Sequence, residues 1–418
     1  MRTQRTRIAS IAAGLLLLAA CSESVKDDGP KAGKDAGQDD TAAGPGTTRG
    51  VTDDSIKVGG VVYDLYFGDS RVGVEARIKE ANDAGGVNGR QIEFVGAEND
   101  NNEPTKDLDL VKRLVEQEEV FALLPVMSGT FGAGDYVVDN NIPMFGYGTN
   151  PAFCENEVAF GITGCVTNPS LKVGSNALGT ILEDHFDGDT DKTVAFIGED
   201  NDAGRGGIEL LSASAEDKGY DVVFGDASLP SPPEVVGDES PFVTKLLAAD
   251  DGKAPDVVYL TATFSGTKIA AGLQNAGYEG MIITPSYSPL LLGQPGYDKV
   301  YVNAQFGLDP KVPAIADMLA AVKAVKADQP TTLALVAGYW SADMFIKGLE
   351  ATGKDVTVEK FLETMNDDFT YEVDGAVGKS VYPLNHDQSV PCATLLYVNG
   401  KTFETELPLT CGENIKVG

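Results

Sequence analysis

From Ser55 onward, short apolar runs alternate with amphipathic segments, and the alternation runs through the chain twice. This constrains the fold more than any other feature. A strand, a helix and a second strand at this spacing pack best as a parallel βαβ unit. In the first series the strands are Ile56–Tyr63, Gln91–Glu98, Phe121–Val126 and Ile142–Tyr147. Between them lie helical patterns at Val72–Asp83, ended by Gly85-Gly86, at Pro104–Gln117 and at Gly134–Asn140. Leu108, Val111, Leu114 and Val115 share one face of the second of these helices.

The pattern restarts after the Gly/Thr/Asn/Pro stretch at Gly164–Ser170. Helices are expected at Leu171–Phe186, Gly206–Lys218, Phe242–Ala249 and Gly266–Gln274. Strands are expected at Thr193–Asp200, Asp221–Ser228, Asp256–Thr263 and Met281–Ser286, with a surface loop at Leu229–Glu234. Three further helices follow, at Ile315–Lys326, Thr332–Ala351 and Val358–Asn366. Ala393–Glu404 is strand-like and carries a hairpin signal at Asn399-Gly400. Helices after the second series, then terminal strands, predict that the chain crosses back between two α/β lobes. A cleft between hinged lobes is the usual place for a small ligand. The expected division is residues 51–170 with 305–378 in one lobe, and 171–304 with 379–418 in the other.

The N-terminus predicts where the chain works. Arg2, Arg5 and Arg7 precede an apolar run, Ile8–Leu18, too short to span a bilayer. Leu18-Ala19-Ala20-Cys21 resembles the lipobox of bacterial lipoproteins. Residues 1–20 then form a cleaved signal peptide, and Cys21 is lipidated and becomes the new N-terminus. Residues 21–50, nearly free of large apolar side chains, form a flexible tether. An extracytoplasmic protein held at the membrane by acyl chains is expected. No other segment is apolar enough to cross a membrane.

Without the leader nearly 400 residues remain, enough for two domains with cores of their own. The formal charge of −31 becomes three units more negative when the leader arginines go, which argues against nucleic acid as a partner. Four cysteines remain besides Cys21, and an even number in an exported chain suggests two disulfides. Three pairings are open. Cys154–Cys165 and Cys392–Cys411 are expected because each closes a short loop. Zinc is disfavoured: there is no CxxC spacing, and the two histidines, His185 and His386, are isolated and read as surface residues. No cofactor and no metal are expected. Gly129-Thr130-Phe131-Gly132-Ala133-Gly134 lacks the P-loop lysine and does not fit GxGxxG, and no GxSxG elbow occurs. The chain is not expected to be an enzyme.

The stretch Ile78–Gly129, with its AGGVNG junction, Asp-to-Pro loop, helix and Ser-containing loop, resembles the branched-chain amino-acid (Leu/Ile/Val) type of substrate-binding protein of ABC importers. IPMFGYGTNP (Ile142–Pro151) resembles the family's next strand and ligand loop, and weaker similarity continues to about Asn399. The resemblance implies the periplasmic binding protein type I fold: two Rossmann-like lobes, parallel sheets flanked by helices, and a multi-crossover hinge. It implies a monomeric receptor that delivers a small solute to a membrane permease. A ligand-sensing lipoprotein on the same fold is the alternative.

In that family one lobe grips a ligand carboxylate at two strand-to-helix loops. These fall here on Met127-Ser128-Gly129 and Tyr147-Gly148-Thr149, with Ser128 and Thr149 as the foremost contacts. Elsewhere the sequence departs from the amino-acid binders. Ala203 stands where the family has an aromatic residue. Ser286 or Tyr287 stands at the acid that pairs with the ligand ammonium, and Thr263 or Phe264 near a family tyrosine. The first ligand loop, Tyr63–Gly68, is shortened. A buried ammonium needs an anion, which Asp64, Asp200 or Asp202 could supply. Otherwise Tyr63, Tyr66, Phe67, Phe131, Phe264 and Tyr287 suit an aromatic or apolar carboxylate, or an uncharged polar compound.

Overall fold

Strands read from unbroken apolar runs are buried on both faces. The computed structural model describes residues 49–166, 172–231, 234–262 and 264–417, and leaves the side chains of Asp202, Ala203 and Phe264 undescribed. The leader, Cys21 and residues 22–48 lie outside the described residues, as do Leu171 and Thr263. The first series gives β1 (Ser55–Val62), α1 (Asp64–Phe67), α2 (Ser70–Asp83), β2 (Gln91–Asn99), α3 (Pro104–Lys112), β3 (Ala122–Met127), α4 (Gly134–Asp139), β4 (Met144–Gly146) and β5 (Ala159–Gly161). The second gives β6 (Val173–Ser175), α5 (Ala177–His185), β7 (Thr193–Glu199), α6 (Asp202–Asp217), β8 (Asp221–Leu229), α7 (Ser240–Leu246), β9 (Val257–Thr261), α8 (Phe264–Asn275), β10 (Met281–Thr284) and β11 (Tyr301–Ala304). The remainder forms α9 (Pro313–Val325), α10 (Leu333–Thr352), α11 (Val358–Met365), β12 (Phe369–Val373), β13 (Val377–Tyr382), β14 (Cys392–Asn399), β15 (Thr402–Cys411) and β16 (Asn414–Lys416).

The first sheet has the order β2-β1-β3-β4-β5 and is parallel throughout. The second has the order β15-β14-β11-β10-β9-β7-β8, parallel from β11 to β8 and antiparallel at β14 and β15. Each sheet is covered on both sides. In β3, Leu124 joins the apolar cluster of α2 and α10, while Leu123 and Val126 join that of α3 and α4. In β7, Ala195 and Ile197 face α7 and α8, while Val194 and Phe196 face α5 and α6. This two-sided burial is why the strands read as continuous apolar runs rather than as alternations.

The chain crosses between the sheets three times, after β5, after β11 and after β13. Helices α9 and α10 pack on α2, so the first sheet is covered by residues that follow the whole of the second series. Tyr382 donates to the Gly161 carbonyl at 2.6 Å, and His386 rests on Phe160 with rings 5.2 Å apart. The chain therefore returns to the second sheet only after His386. Disulfides join Cys154 to Cys165 and Cys392 to Cys411. The second links residues paired across β14 and β15.

Several expectations need correction. Leu171–Phe186 is not one helix: Val173–Ser175 pairs antiparallel with β16, near the end of the chain, and the helix starts at Ala177. That long-range pairing overrides a locally helical pattern. Arg49 and Gly50 belong to the folded part and not to a tether. Arg49 Nε donates to the Val120 carbonyl at 2.7 Å, and a Cβ on Gly50 would lie 2.3 Å from Phe121 N. His386 is a buried residue, not a surface one. Its Nε2 lies 2.7 Å from Asn366 Oδ1, and burial lowers its pKa to about 4.

Phe121, Phe145, Phe345 and Phe361 fasten α10 and α11 to the first sheet, with ring centroids 5.3–6.2 Å apart and all four side chains fully buried. Phe345→Ala should cost about 3–5 kcal/mol. Urea unfolding followed by the fluorescence of Trp340, the chain's single tryptophan, should show a midpoint shifted down at unchanged slope.

Candidate functional site

In each sheet the chain winds outward in two directions from one point. The reversal lies between β1 and β3 in the first sheet and between β7 and β9 in the second. In open α/β sheets ligands bind beyond the carboxyl ends of the strands at such a point. The loops leaving those ends carry most of the sequence-predicted site residues.

On the first sheet, β1 runs into Tyr63 and the single turn α1. The Tyr63 amide donates to the Met127 carbonyl at 2.9 Å, which ties the β1 and β3 loops together. Tyr63 and Tyr66 meet edge to face at 5.5 Å, and Tyr66 and Phe67 at 6.4 Å; all three are half-buried. Ser128 is buried, and its hydroxyl lies 3.4 Å from the Thr130 amide. Its carbonyl accepts from Asn150 at 3.2 Å, which joins the β3 loop to the β4 loop. Thr149 is exposed at the rim. Neither hydroxyl caps a helix: Asn150 caps the short turn Pro151–Phe153, and Ala133 precedes α4. Gly148 has φ +91°, and a Cβ there would lie 2.1 Å from the Gly164 carbonyl. The Tyr147 ring is buried 5.5 Å from Phe306, and burial raises its phenol pKa.

On the second sheet, β7 ends in half-buried Glu199, followed by Asp200 and Asn201. Asn201 caps α6 by accepting from Gly204 N at 2.7 Å, and its amide donates to Glu199 at 3.2 Å and to Ser231 at 3.0 Å. Burial, then the Glu199 carboxylate and Tyr63, hold the Tyr66 phenol well above its usual range. Tyr147 likewise adds to the rise that burial imposes on Tyr259 in β9. The two sets of strand ends therefore face each other.

Of the acids weighed from sequence, Asp64 is exposed and paired with Arg71 at 2.6 Å, and Asp200 is exposed and paired with Arg205 at 2.6 Å. Asp202 and Ala203 lie in the first turn of α6, and Phe264 opens α8. Phe131 is half-buried against the α3–α4 cluster. Ser286 is half-buried, with its amide 3.2 Å from Thr284 Oγ1 and its carbonyl accepting from Tyr297. The Tyr287 ring lies tilted against Phe403 with centroids 4.5 Å apart, and burial pushes its phenol up to about 12. Glu199 was not singled out from sequence. The available signal was its place as the last residue of a buried strand, one position before the acids that were considered. Among the described residues no group of three or more His, Cys, Asp or Glu side chains is placed to hold a metal ion. No described helix is long and apolar enough to cross a membrane.

These features define a two-lobed α/β receptor with polar and aromatic groups gathered at facing strand ends. The periplasmic binding protein family profile matches residues 58–402, and the chain belongs to that family, whose members are solute-binding receptors and whose name implies an extracytoplasmic location. No functionally curated protein matches it. Solved structures share the fold at low identity. A fatty acid ABC transporter substrate-binding protein from Thermomonospora curvata superposes with a TM-score of 0.65 at 17% identity, covering 88% of this chain and 95% of that one. A solute-binding protein of an ABC transporter from Rhodopseudomonas palustris BisB5, in complex with 3,4-dihydroxybenzoic acid, gives 0.65 at 17%, covering 88% and 99%. A leucine-binding protein from Thermotoga maritima MSB8 gives 0.65 at 15%, covering 85% and 99%.

Gly148 offers a test of the loop geometry. Gly89 has nearly the same φ, +89°, but open space around a Cβ. Gly89→Ala should cost about 1–2 kcal/mol for the backbone conformation alone. Gly148→Ala should cost clearly more because the Gly164 carbonyl must also move, and thermal unfolding of the two variants side by side measures the difference.

Proposed function

We propose that this protein is the extracytoplasmic solute-binding receptor of an ABC importer, and that its solute is a small carboxylate, with α-amino acids the leading class. One observation carries the reading. Hydroxyl donors of Ser128 and Tyr66 stand at the switch point of one sheet, the Glu199 carboxylate stands at that of the other, and Tyr66 and Glu199 interact electrostatically. Donors suit a carboxylate. A half-buried acid opposite them suits an ammonium, and it supplies the anion missing from Pro285-Ser286-Tyr287. Three structural neighbours are named for fatty acid or leucine binding or hold 3,4-dihydroxybenzoic acid, and all three compounds carry a carboxylate. Closure of the lobes on solute would present a surface to a membrane permease. Cys21 would carry the lipid anchor.

Thermal unfolding against leucine, isoleucine, valine, polar amino acids, benzoates and fatty acids tests this first. A solute at about 100 times its dissociation constant should add about 2.7 kcal/mol. Ser128→Ala should weaken the solute found by about tenfold or more, given about 1.5–3 kcal/mol for a charge-assisted hydrogen bond. Glu199→Gln should weaken amino acids and spare benzoates. Equal loss for both classes would remove the ammonium role of Glu199, and no shift with any carboxylate would overturn the solute class. In the native host, Cys21→Ala should move the protein from the membrane fraction to the soluble one.

A further inference from the structure

Directly beneath the loop Ser128–Gly134 lie two carboxyl groups with no contact with solvent. Asp100 follows β2 and Asp107 sits in the first turn of α3; both are fully buried. Each uses one oxygen to hold a backbone amide. Asp100 Oδ1 accepts from Asn102 N at 2.7 Å, and Asp107 Oδ2 accepts from Gly132 N at 3.0 Å. The other two oxygens, Asp100 Oδ2 and Asp107 Oδ1, are buried and have no donor among the described residues. The Asp100 carboxyl acts directly on that of Asp107, and both are fastened to the same loop, one through Asn102 and the other through Gly132. Two carboxylates cannot share such a dry site unless one of them carries a proton.

The loop above rests on this pair. Besides the Gly132 amide, Thr130 Oγ1 donates to the Asn102 carbonyl at 3.1 Å and lies 3.2 Å from its side-chain oxygen. A Cβ on Gly132 would lie 2.3 Å from the Pro104 carbonyl, so the loop is pressed against the start of α3. Ser128 is tied in turn to Thr130. The charged groups acting on Asp107 are Asp100 from the end of β2 and Lys106 from α3 itself. Ser128–Gly134 contains no titratable side chain.

We propose that Asp100 and Asp107 share a single proton, and that the pair so protonated is a positioning element that holds Ser128–Gly134 in the shape that captures solute, making capture proton-linked. The inference rests on the reading of that loop as a solute-binding loop. Burial above all, with the Asp100 carboxyl added, pushes Asp107 up to about 7 against the pull of the Gly132 amide and Lys106. The unfolded chain releases the same proton near pH 4. The folded state thus holds a proton that the unfolded state has lost. The stabilisation is complete below about pH 4 and is lost as pH rises through about 7. Above that pH two facing charges remain under the loop, and solute affinity should fall.

The test uses the full-length protein, wild type and Asp107→Asn. The amide preserves an acceptor for Gly132 N and gives Asp100 Oδ2 a donor that cannot ionise. Thermal unfolding without solute, followed from pH 4 to 9 by Trp340 fluorescence, should show wild type losing stability between about pH 4 and 7 relative to the variant. Exchange of the Gly132 amide should accelerate above pH 7 in wild type, beyond the base-catalysed trend the variant shows. Affinity for leucine or benzoate, whichever binds, should fall about fivefold between pH 7 and 8 in wild type, as the protonated fraction drops from about a half to about a tenth, and stay level in the variant. Asp100→Asn, which also provides a fixed donor, stands in if Asp107→Asn does not fold. Parallel unfolding and exchange profiles would overturn the shared proton. These two readouts involve no solute, so they stand even if the receptor reading fails. A stability difference alongside pH-independent affinity would overturn the positioning role.

Discussion

Leu123 and Leu124 are adjacent in β3 and both fully buried, one among side chains of α3 and α4 and the other among those of α2 and α10. The same division recurs at Phe196 and Ile197 in β7. With both faces of each sheet occupied by apolar packing, polar chemistry has nowhere to go within the layers and is displaced to the strand ends. At the carboxyl ends the loops lie outside that packing and can carry hydroxyls, an acid and a glycine of positive φ. The packing that removes water from the sheets thereby determines where a solute can be met.

This burial also explains how much of the fold could be read from the residues alone. The long apolar strands lie within a residue or two of where the sequence marks them, because local pattern and final environment agree; helix ends are less well marked, and α6 starts at Asp202, four residues before the expected Gly206. The elements that escaped are short and owe their form to distant partners. Strand β6 exists through its pairing with β16. The β12–β13 hairpin had a signal in Asp374-Gly375, the dipeptide that favours its turn, where Gly375 has φ +66°. It is a hairpin of two short strands between helices and a crossover, with little periodicity to mark it.

The candidate site divides in the same way. The positions of Ser128, Tyr66 and Gly148 follow from local chain logic, the loop after a strand, and the sequence reaches them. Burial does not follow from it. Ser128 and Thr149 look alike in sequence, yet one is enclosed and the other lies at the rim. Glu199 acquires its meaning only when Tyr66 of the opposite lobe is placed near it. The same holds for Asp107, which reads as an ordinary first-turn acid until Asp100 and the Gly132 amide are brought against it.

The three crossovers bear on how the chain comes into being. During synthesis the strands of the first sheet emerge early, but the helices α9, α10 and α11 that cover one face lie between residues 313 and 365. The second sheet waits still longer, for β14 and β15. Neither lobe can close its core while the ribosome is still producing the chain, so a nascent polypeptide has no stable domain to form prematurely. Late completion of both cores favours threading of the chain through a narrow translocation channel before either lobe is compact.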